Sequence, residues 1–485
     1  MSVDLTQIVK TYDIRGLVGS ELTEDVVAAL AGAFVDEIGA AGQTVVVGYD
    51  MRESSPGFAD AFARGATTRG ASVVSIGECS TDMTYYASGA WSMPSAMFTA
   101  SHNPARYNGI KLSRAGADPL SLESGLASIR DRARHYLDTQ IPIVESPGSI
   151  TSREVIADYA VYLRTLVDLS SIRPLKIVVD AGNGMGGLTV PAVLGTAAGL
   201  EVLPLDIIPL YFELDGTFPN HEANPLNPEN LVDLQRAVVA HGADVGLAFD
   251  GDADRCFVVD ERGQPVTPSA VTAIVALREI RRVRAAGEMP ITVLHNLITS
   301  RIVPEMIRGA DALPVRTTVG HSLIKKIMRE TGAVFGGEHS AHYYFRDFWS
   351  ADNGMLAAMH VLAEFGTQTR PLSEFAEKFS PYSESGEINT RVPDVAEALA
   401  RIREEFAGRG EFDTLDGLTV SGGTRDNHSL PPTPGEKRDF WWLNVRPSNT
   451  EPLLRLNVEA GTPEIMATLR DDALAIIRQN VTVES

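Results

Sequence analysis

The chain has 485 residues, of which 44% are hydrophobic and 22% charged, and its formal net charge is −21. A single hydrophobic core rarely grows beyond about 250–300 residues, so this length predicts several domains, each apolar enough to fold around its own core. The acidic balance disfavours nucleic acid and anionic membranes as partners, and no apolar run approaches the ~18–20 residues that cross a bilayer.

Short apolar runs alternate with amphipathic segments through most of the chain. The runs are rich in β-branched residues and end at Gly, Asp or Asn, which is typical of buried strands. Strands are predicted at 45–48, 73–76, 95–98, 177–179 and 245–249. Helices are predicted at 24–41, 56–70, 152–166, 230–241, 270–285 and 321–330. This alternation favours α/β units with mainly parallel sheets.

The pattern changes after residue 370. A helix at 395–406, strands at 440–445 and 453–458, and a last helix at 463–477 predict an α+β domain. Turn-rich segments at 140–148, 260–265 and 368–372 are the candidate boundaries. The predicted domains are therefore 1–147, 148–259, 260–370 and 371–485.

The two cysteines, Cys79 and Cys256, are too few for a disulfide framework or a zinc site, which fits a reducing compartment. The first ten residues lack the basic and apolar pattern of a secretory signal. We therefore expect a cytoplasmic protein. We expect Cys256 to be a buried strand thiol rather than a nucleophile.

Three aspartates alternate in the segment that follows the predicted strand at 245–249. Asp250, Asp252 and Asp254 can direct their carboxylates at one centre, and hard oxygen ligands of this kind suit Mg²⁺ or Ca²⁺. The alternative is a solvated acidic turn. It is disfavoured because the motif ends a buried strand, where the ligand sites of α/β sheets lie.

Ser101 stands in the segment TASHNP, after another predicted strand. Small neighbours expose its hydroxyl, and Asn103 with Pro104 favours a turn. The Gly-x-Ser-x-Gly pattern of acyl-transfer nucleophiles is absent, which favours a phosphoryl carrier. A cap or turn role for Ser101 is the alternative. The segment YNGIK, with Lys111, makes the motif more distinctive.

Two further loops carry polar groups suited to a phosphorylated sugar. In RPSNTEP, Arg446 offers a bidentate fork for phosphate oxygens, and the alternative is an ordinary polar hairpin loop. In GEHSAH, Glu338 and Ser340 are suitable partners for sugar hydroxyls. His342 could be a base or a structural hydrogen-bonding group.

TASHNP with YNGIK, DGDADR, GEHSAH and RPSNTEP occur in this order along the chain. Together they resemble the signature loops of the α-D-phosphohexomutases, in particular the phosphomannomutase/phosphoglucomutase group, and look closest to bacterial phosphomannomutases. YDIRG at 12–16 resembles the N-terminal motif of that group, and VGHS at 319–322 its third-domain phosphosugar loop. The resemblance covers essentially the whole chain.

The resemblance implies an α/β fold of four domains around a central cleft: three related α/β domains with mixed sheets and a smaller C-terminal α+β domain. It implies an isomerase that interconverts mannose 6-phosphate and mannose 1-phosphate through an enzyme phosphoserine and a hexose 1,6-bisphosphate, with phosphoglucomutase activity as well. The expected cofactors are Mg²⁺ and glucose or mannose 1,6-bisphosphate. The expected partners are hexose phosphates, and the expected assembly is a monomer or weak homodimer.

The resemblance also implies roles for particular residues. Ser101 would carry the phosphoryl group, Lys111 and His342 would transfer protons, and Arg255 and Arg15 would stabilise the moving group, with His102 as a further catalytic candidate. The implied metal ligands are Ser101, Asp250, Asp252 and Asp254. The implied substrate-binding residues are Tyr12, Gly320, His321, Glu338, Ser340, Arg446, Ser448, Asn449 and Thr450.

Three alternatives stay open from the sequence. The enzyme could act mainly as a phosphoglucomutase, since mannose and glucose differ only at C2. A non-catalytic phosphosugar-binding paralogue is disfavoured because the carrier serine and the metal aspartates are intact. A phosphatase of the aspartyl-phosphate type is disfavoured because Asp254 stands where that class has Thr or Val. That class also leaves Ser101 without a role.

Overall fold

The computed structural model describes residues 3–423, 439–447 and 453–479. The chain divides into two compact units. The first comprises Met1–Val266, His321–Phe335 and Ser340–Phe375. The second comprises Thr267–Gly320, Gly336–His339 and Ala376–Ser485. Every helix in the described part of the chain is too short or too polar to cross a membrane.

The first sheet is mixed, and helices alternate with its strands. The strands are β1 (Ile14–Leu17), β2 (Thr44–Tyr49), β3 (Ser72–Glu78), β4 (Ser95–Phe98), β5 (Tyr107–Arg114), β6 (Asp118–Pro119) and β7 (Ile150–Ser152). The helices are α1 (Leu5–Ile8), α2 (Glu24–Ile38), α3 (Ser55–Thr68), α4 (Thr81–Trp91) and α5 (Ala127–Thr139). The strand order is β1-β5-β4-β2-β3-β7, with β6 beside β5. Strands β2, β3 and β4 are parallel, whereas β5 is antiparallel to both β4 and β1.

Local signals explain where α2 begins and ends. The hydroxyl of Thr23 caps its first turn, and the helix ends at Ile38, three residues before the predicted end, where Gly39 adopts φ +65°. The helix packs closely on α3, because a Cβ on Gly65 would lie 2.2 Å from the carbonyl oxygen of Ala28. Buried residues of α2 and α3 belong to the same hydrophobic core as those of the first sheet.

The second sheet also belongs to the first unit. Its elements are α6 (Ile156–Leu166), β8 (Leu175–Asp180), α7 (Gly186–Val193), β9 (Leu205–Leu210), α8 (Val232–His241), β10 (Val245–Phe249), β11 (Cys256–Asp260) and β12 (Pro265–Val266). The order is β12-β11-β10-β8-β9. The helix predicted at 152–166 begins only at Ile156, because 150–152 pairs with β3 as a strand. The turn cluster at 260–265, considered above as a boundary, connects the paired strands β11 and β12.

The third region contributes elements to both units. In chain order they are α9 (Pro268–Ala285), β13 (Thr292–Asn296), α10 (Ile302–Gly309), β14 (Leu313–Thr317), α11 (His321–Thr331), β15 (Phe335–Gly337), β16 (Tyr343–Phe345), β17 (Ala351–Asp352), α12 (Gly354–Phe365) and α13 (Leu372–Ala376). Strands β13 and β14 are parallel and lie in the second unit. Strands β16 and β17 are antiparallel and lie in the first.

The C-terminal region is an antiparallel sheet with two helices. Its elements are β18 (Ser383–Glu384), β19 (Ile388–Arg391), α14 (Val395–Glu405), β20 (Glu411–Asp413), β21 (Leu418–Gly423), β22 (Phe440–Pro447), β23 (Leu453–Ala460) and α15 (Pro463–Ile477). The order is β18-β23-β22-β21-β20, with β19 also on β23. Residues of α14 and α15 share one apolar core with the sheet, as the predicted change to an α+β pattern requires.

Candidate active site

Ser101 lies in the loop between β4 and β5, and it is only 4% exposed. Its backbone has φ +50°, a left-handed conformation that costs a residue with a side chain roughly 1–2 kcal/mol. Its amide donates to Thr99 Oγ1 at 2.8 Å. Its hydroxyl donates to Asp250 Oδ2 at 3.0 Å and lies 3.2 Å from His102 Nδ1. The loop therefore directs the hydroxyl of Ser101 at the first aspartate.

The three aspartates lie in the loop between β10 and β11, and all are buried. They can place one carboxylate oxygen each within 4.8 Å of the others. The left-handed residue of this loop is Ala253, with φ +62°. Gly251 serves a different purpose, because a Cβ there would lie 2.4 Å from the carbonyl oxygen of Ser101. The glycine thus lets the two loops touch.

Cationic side chains surround the carboxylates. Lys111, on β5, places its Nζ 2.6 Å from Asp252 Oδ2 and 2.6 Å from Asp254 Oδ2. Arg255 donates to Asp250 Oδ2 from Nε at 2.9 Å, and its Nη2 lies 2.8 Å from the same oxygen. Two positive charges thus lie beside three buried carboxylates and offset part of their negative charge.

Arg15, on β1, is tied to the Ser101 loop. It donates from Nη1 to Asn103 Oδ1 at 2.8 Å and from Nη2 to Asp13 Oδ2 at 2.6 Å. Burial and the positive charges of Arg255 and Arg15 lower the pKa of His102 well below its usual range. The imidazole beside the Ser101 hydroxyl is therefore neutral at pH 7.

Burial and the neighbouring charges shift the pKa values of Lys111 and Asp250. Burial opposes the charge of Lys111, but Asp252 and Asp254 outweigh it and raise the pKa of Lys111 well above its usual range. Burial, which Arg255 offsets in part, together with repulsion from Asp254 and Asp252, raises the pKa of Asp250 to about 7. A divalent cation would relieve this repulsion among the aspartates.

The donor set fits Mg²⁺. Asp252 Oδ1 and Asp254 Oδ1 are buried and have no hydrogen-bond partner among the described residues. Lys111 occupies the other oxygen of each carboxylate. Buried carboxylate oxygens without partners are costly unless a cation binds them, and an all-oxygen set suits Mg²⁺.

His342 and Ser340 lie near the aspartates, on the segment before β16. His342 pairs with Arg255 through a backbone bridge, and its Nε2 lies 3.7 Å from Asp254 Oδ1. Its Nδ1 lies 3.0 Å from Ser340 Oγ. Tyr12 lies in the turn before β1 and is partly buried. These residues belong to the same unit as Ser101.

Glu338, Gly320 and Arg446, which are also predicted substrate ligands, belong to the second unit. Glu338 is buried, and its Oε1 accepts from the Gly320 amide at 3.3 Å and from Asn296 Nδ2 at 3.3 Å. Arg446, on β22, donates to Glu387 Oε2 at 2.6 Å. The side chain of His321, and the residues Ser448, Asn449 and Thr450, lie outside the described parts of the structure.

Four residues next to the predicted site did not emerge from the sequence motifs. Thr81 Oγ1 donates to Asp252 Oδ2 at 2.5 Å. Lys325 is fully buried, 2.5 Å from Asp352 Oδ1. Asp352 approaches Asp254 and His342 closely enough to form a second acidic cluster, and Lys325 supplies the cation there. Thr81, Lys325 and Asp352 stand in no motif that marks them.

Arg52 is the fourth residue, and it contacts the Ser101 loop. It follows Asp50, the aspartate that ends the run VVVGYD, by two residues. A charged residue so close to the end of a buried strand was a usable signal.

Cys256, by contrast, is buried on β11 as expected, and burial raises its pKa above the ordinary range.

Four family models match the chain in succession. They describe the alpha/beta/alpha domains I, II and III of phosphoglucomutase/phosphomannomutase, at residues 6–137, 157–263 and 267–382, and its C-terminal domain, at 387–476. The chain belongs to the phosphoglucomutase/phosphomannomutase family. The predicted fold class, three α/β domains and a C-terminal α+β domain, is thereby confirmed, and family membership makes the protein an isomerase of the phosphomutase type.

Relatives within this family match over nearly their whole length. The chain is 36% identical to "Phosphohexose mutases" of Xanthomonas campestris pv. campestris, covering 97% of this chain and 98% of the relative. It is 35% identical to the phosphomannomutase of Salmonella typhimurium, with the same coverage. A crystal structure of a phosphoglucomutase/phosphomannomutase family protein from Burkholderia thailandensis superposes with a TM-score of 0.82 at 29% identity, covering 99% of this chain and 98% of that one.

Proposed function

We propose that this phosphohexose mutase interconverts mannose 6-phosphate and mannose 1-phosphate, and the corresponding glucose phosphates, with Ser101 as phosphoryl carrier. The observation that carries the proposal is the hydroxyl of Ser101 bonded at 3.0 Å to a buried aspartate of a triplet that fits Mg²⁺. The relative in Salmonella typhimurium bears the name phosphomannomutase, which supports mannose as a substrate.

The proposed reaction has two transfers through one serine. Phosphoserine 101 gives its phosphoryl group to a free hydroxyl of the hexose monophosphate, so that one P–O bond breaks at the serine and one forms at the sugar. The sugar hydroxyl loses its proton and the serine oxygen gains one. The resulting hexose 1,6-bisphosphate turns end for end, and its other phosphoryl group returns to Ser101.

Phosphoryl transfer depends mainly on positioning and on stabilisation of negative charge. Asp250, Asp252 and Asp254 would hold Mg²⁺ together with an oxygen at Ser101, and the bound ion would neutralise charge on the phosphoryl oxygens. Lys111 and Arg255 lie beside these carboxylates and add positive charge. The phosphoserine would bring roughly −1.5 to −2 charges into this environment.

The protons would be handled by groups near the reacting oxygens. His102 Nδ1 lies 3.2 Å from Ser101 Oγ and is placed to exchange a proton with it. Lys111 and His342 remain the candidates for proton transfer at the sugar hydroxyl.

Sugar binding would fall to the substrate-binding residues that the family resemblance implies. Glu338, Ser340 and Tyr12 would contact the sugar or its phosphate. Gly320, His321 and the loop from Arg446 to Thr450 would hold the phosphate that does not react. Because the bisphosphate must turn over, these residues would bind the sugar in two orientations, with the predicted central cleft giving it room.

Other features complete the proposal. The cofactors would be Mg²⁺ and a priming hexose 1,6-bisphosphate, the location cytoplasmic, and the assembly a monomer or weak homodimer. The domain limits at 147, 259 and 370 likewise remain predictions.

The proposal is tested by intact-mass measurement after incubation with glucose 1,6-bisphosphate. Wild type should gain the mass of one phosphoryl group, and Ser101→Ala should gain none and lose mutase activity. Ser113→Ala is a matched control, because this serine is buried on β5, the strand that follows the Ser101 loop, and its hydroxyl bonds Ser95 Oγ at 2.7 Å. An active, unphosphorylated Ser101→Ala enzyme would remove the carrier role.

A second measurement addresses the sugar. We would measure kcat/KM for mannose 1-phosphate and for glucose 1-phosphate under identical priming, and we expect the enzyme to turn over both. No turnover of mannose 1-phosphate would restrict the enzyme to the glucose reaction.

A further inference from the structure

Arg52 lies between β2 and α3, and the proposed reaction assigns it no part. Its side chain is only 1% exposed. The guanidinium also lies over the ring of Phe218, 5.2 Å from the centroid. A guanidinium stays charged in proteins, so burial to this degree requires that its N–H groups find acceptors.

Four of its five N–H groups can bind backbone carbonyls of the Ser101 loop. Nη1 donates to the carbonyls of Pro104 and Tyr107, each at 3.0 Å. Nη2 donates to the carbonyls of Ser101, at 2.9 Å, and Asn103, at 2.7 Å. One rigid fork therefore binds four carbonyl groups within seven consecutive residues.

The fork is itself held by Asp50. Asp50 Oδ2 accepts from Arg52 Nε at 3.2 Å, and Asp50 Oδ1 accepts from the Arg52 amide at 3.1 Å. Ser55 Oγ donates to the same carboxylate at 2.6 Å, and Asn108 Nδ2 donates to Ser55 Oγ at 2.9 Å. Asp50 directly follows the last residue of β2, and Ser55 is the first residue of α3. The fork is therefore anchored to two regular elements.

The loop that Arg52 holds is under strain at the reacting residue. Ser101 has the left-handed φ of +50°, and such a conformation persists only when its surroundings determine it. Its carbonyl oxygen lies between Arg52 and Gly251, because a Cβ on Gly251 would come within 2.4 Å of it. Fixing this carbonyl fixes the peptide plane next to the Ser101 side chain.

We infer that Arg52 is a positioning residue that holds the Ser101 loop in the geometry needed for phosphoryl transfer. It acts through the backbone of residues 101–107 and does not need to touch the sugar. The inference rests on the proposed function of Ser101 as carrier. It predicts that loss of the fork slows transfer while leaving hexose phosphate binding intact.

The test is Arg52→Lys, which keeps the charge but cannot bind four carbonyls at once. A displacement of the reacting group by about 1 Å costs on the order of 100-fold in rate, so kcat should fall by about that factor with KM unchanged. Phosphorylation of Ser101 by glucose 1,6-bisphosphate should slow by the same factor. A wild-type kcat, or a loss confined to KM, would overturn the inference.

Chemical rescue separates positioning from general destabilisation. Arg52→Ala leaves space for free guanidinium, which should restore part of kcat in a saturable way, whereas equal concentrations of sodium chloride should not. A folded Arg52→Ala enzyme that guanidinium cannot rescue would count against the inference. If this variant does not fold, the Arg52→Lys comparison decides alone.

Arg164→Lys is the matched control. Arg164 also binds backbone carbonyls, those of Val193, Gly195 and Glu201 at 2.8, 2.7 and 2.5 Å, but in another part of the chain. Its replacement should lower stability and leave the phosphorylation rate of Ser101 as in wild type. An equal loss of kcat in both variants would reduce Arg52 to a merely structural role.

The two proposals fail in different ways. A wild-type enzyme that never carries phosphate on Ser101, with Ser101→Ala fully active, would overturn the proposed function and this inference with it. A phosphorylated wild type together with an equally fast Arg52→Lys enzyme would keep the proposed function and overturn only the role of Arg52.

Discussion

Replacing Gly251 by alanine is the most direct way to disturb the contact between the aspartate loop and the Ser101 loop. The added Cβ would lie 2.4 Å from the carbonyl oxygen of Ser101, which is a backbone atom. Since an ordinary contact begins near 3.4 Å, the loops must separate by about 1 Å. Movement of the aspartate loop away from Ser101 would disturb the hydrogen bond that the amide of Met185 donates to the Gly251 carbonyl at 2.9 Å.

The expected loss in rate follows from that distance. A misplacement of about 1 Å in a reacting geometry costs on the order of 100-fold in rate, and overpacking of a buried contact costs about 1–3 kcal/mol in stability. Gly251→Ala should therefore lower kcat by about 100-fold and reduce the melting temperature by several degrees.

The assay is conversion of glucose 1-phosphate to glucose 6-phosphate, primed with glucose 1,6-bisphosphate and measured alongside thermal unfolding. Gly57→Ala is the control, because the new Cβ would meet only Glu24 Oε1, at an ordinary 3.6 Å. In the helix α3 it should raise stability by about 0.5–1 kcal/mol and leave kcat unchanged. A Gly251→Ala enzyme with wild-type kcat would refute the reasoning that the two loops must touch for transfer.

Two further predictions concern the second unit. Arg446→Ala should raise KM for the hexose phosphates by about 10–100-fold with little change in kcat, because a charged hydrogen bond contributes about 1.5–3 kcal/mol. Steady-state kinetics measures this change, with Arg455→Ala as the control because it removes the other arginine that pairs with Glu387. An unchanged KM in Arg446→Ala would contradict the prediction. Burial raises the pKa of Glu459 from its ordinary 4.5 to about 7. The folded state therefore binds a proton that the unfolded state has released, and stability should fall as pH rises from about 4.5 to about 7. Between pH 5 and pH 8, Glu459→Gln should therefore gain stability relative to wild type, and this gain includes relief of the repulsion by which Glu459 raises the pKa of Glu384. Urea denaturation at both pH values measures the difference, and a constant difference would argue against the prediction.

The sequence predicted elements best where the signals were local. The strand at 95–98 and the helix at 463–477 have the predicted bounds, because apolar patterning and terminal residues define them within the segment itself. The helix predicted from 152 begins at Ile156. Residues 150–152 pair with β3, far back in the chain, and no periodicity within the segment could indicate a distant partner.

The same distinction applies to the candidate site. Asp250, Asp252 and Asp254 share one loop, so their spacing alone predicted a cation site. Thr81, by contrast, donates to an aspartate 171 residues further along the chain. Lys325 likewise stands beside Asp352 only because α11 and β17 come together in the first unit.

The sequence by itself determined the chemistry, namely a set of loops that carry a serine, three aspartates and several cations. These loops are recognisable because each motif is short and contiguous. Only the tertiary structure decided which oxygens those groups present. Lys111 takes one oxygen of Asp252 and one of Asp254, which leaves the other oxygen of each for a cation. The proposed role of Arg52 likewise depends on the tertiary structure, because only the folded chain brings four carbonyl groups around one guanidinium.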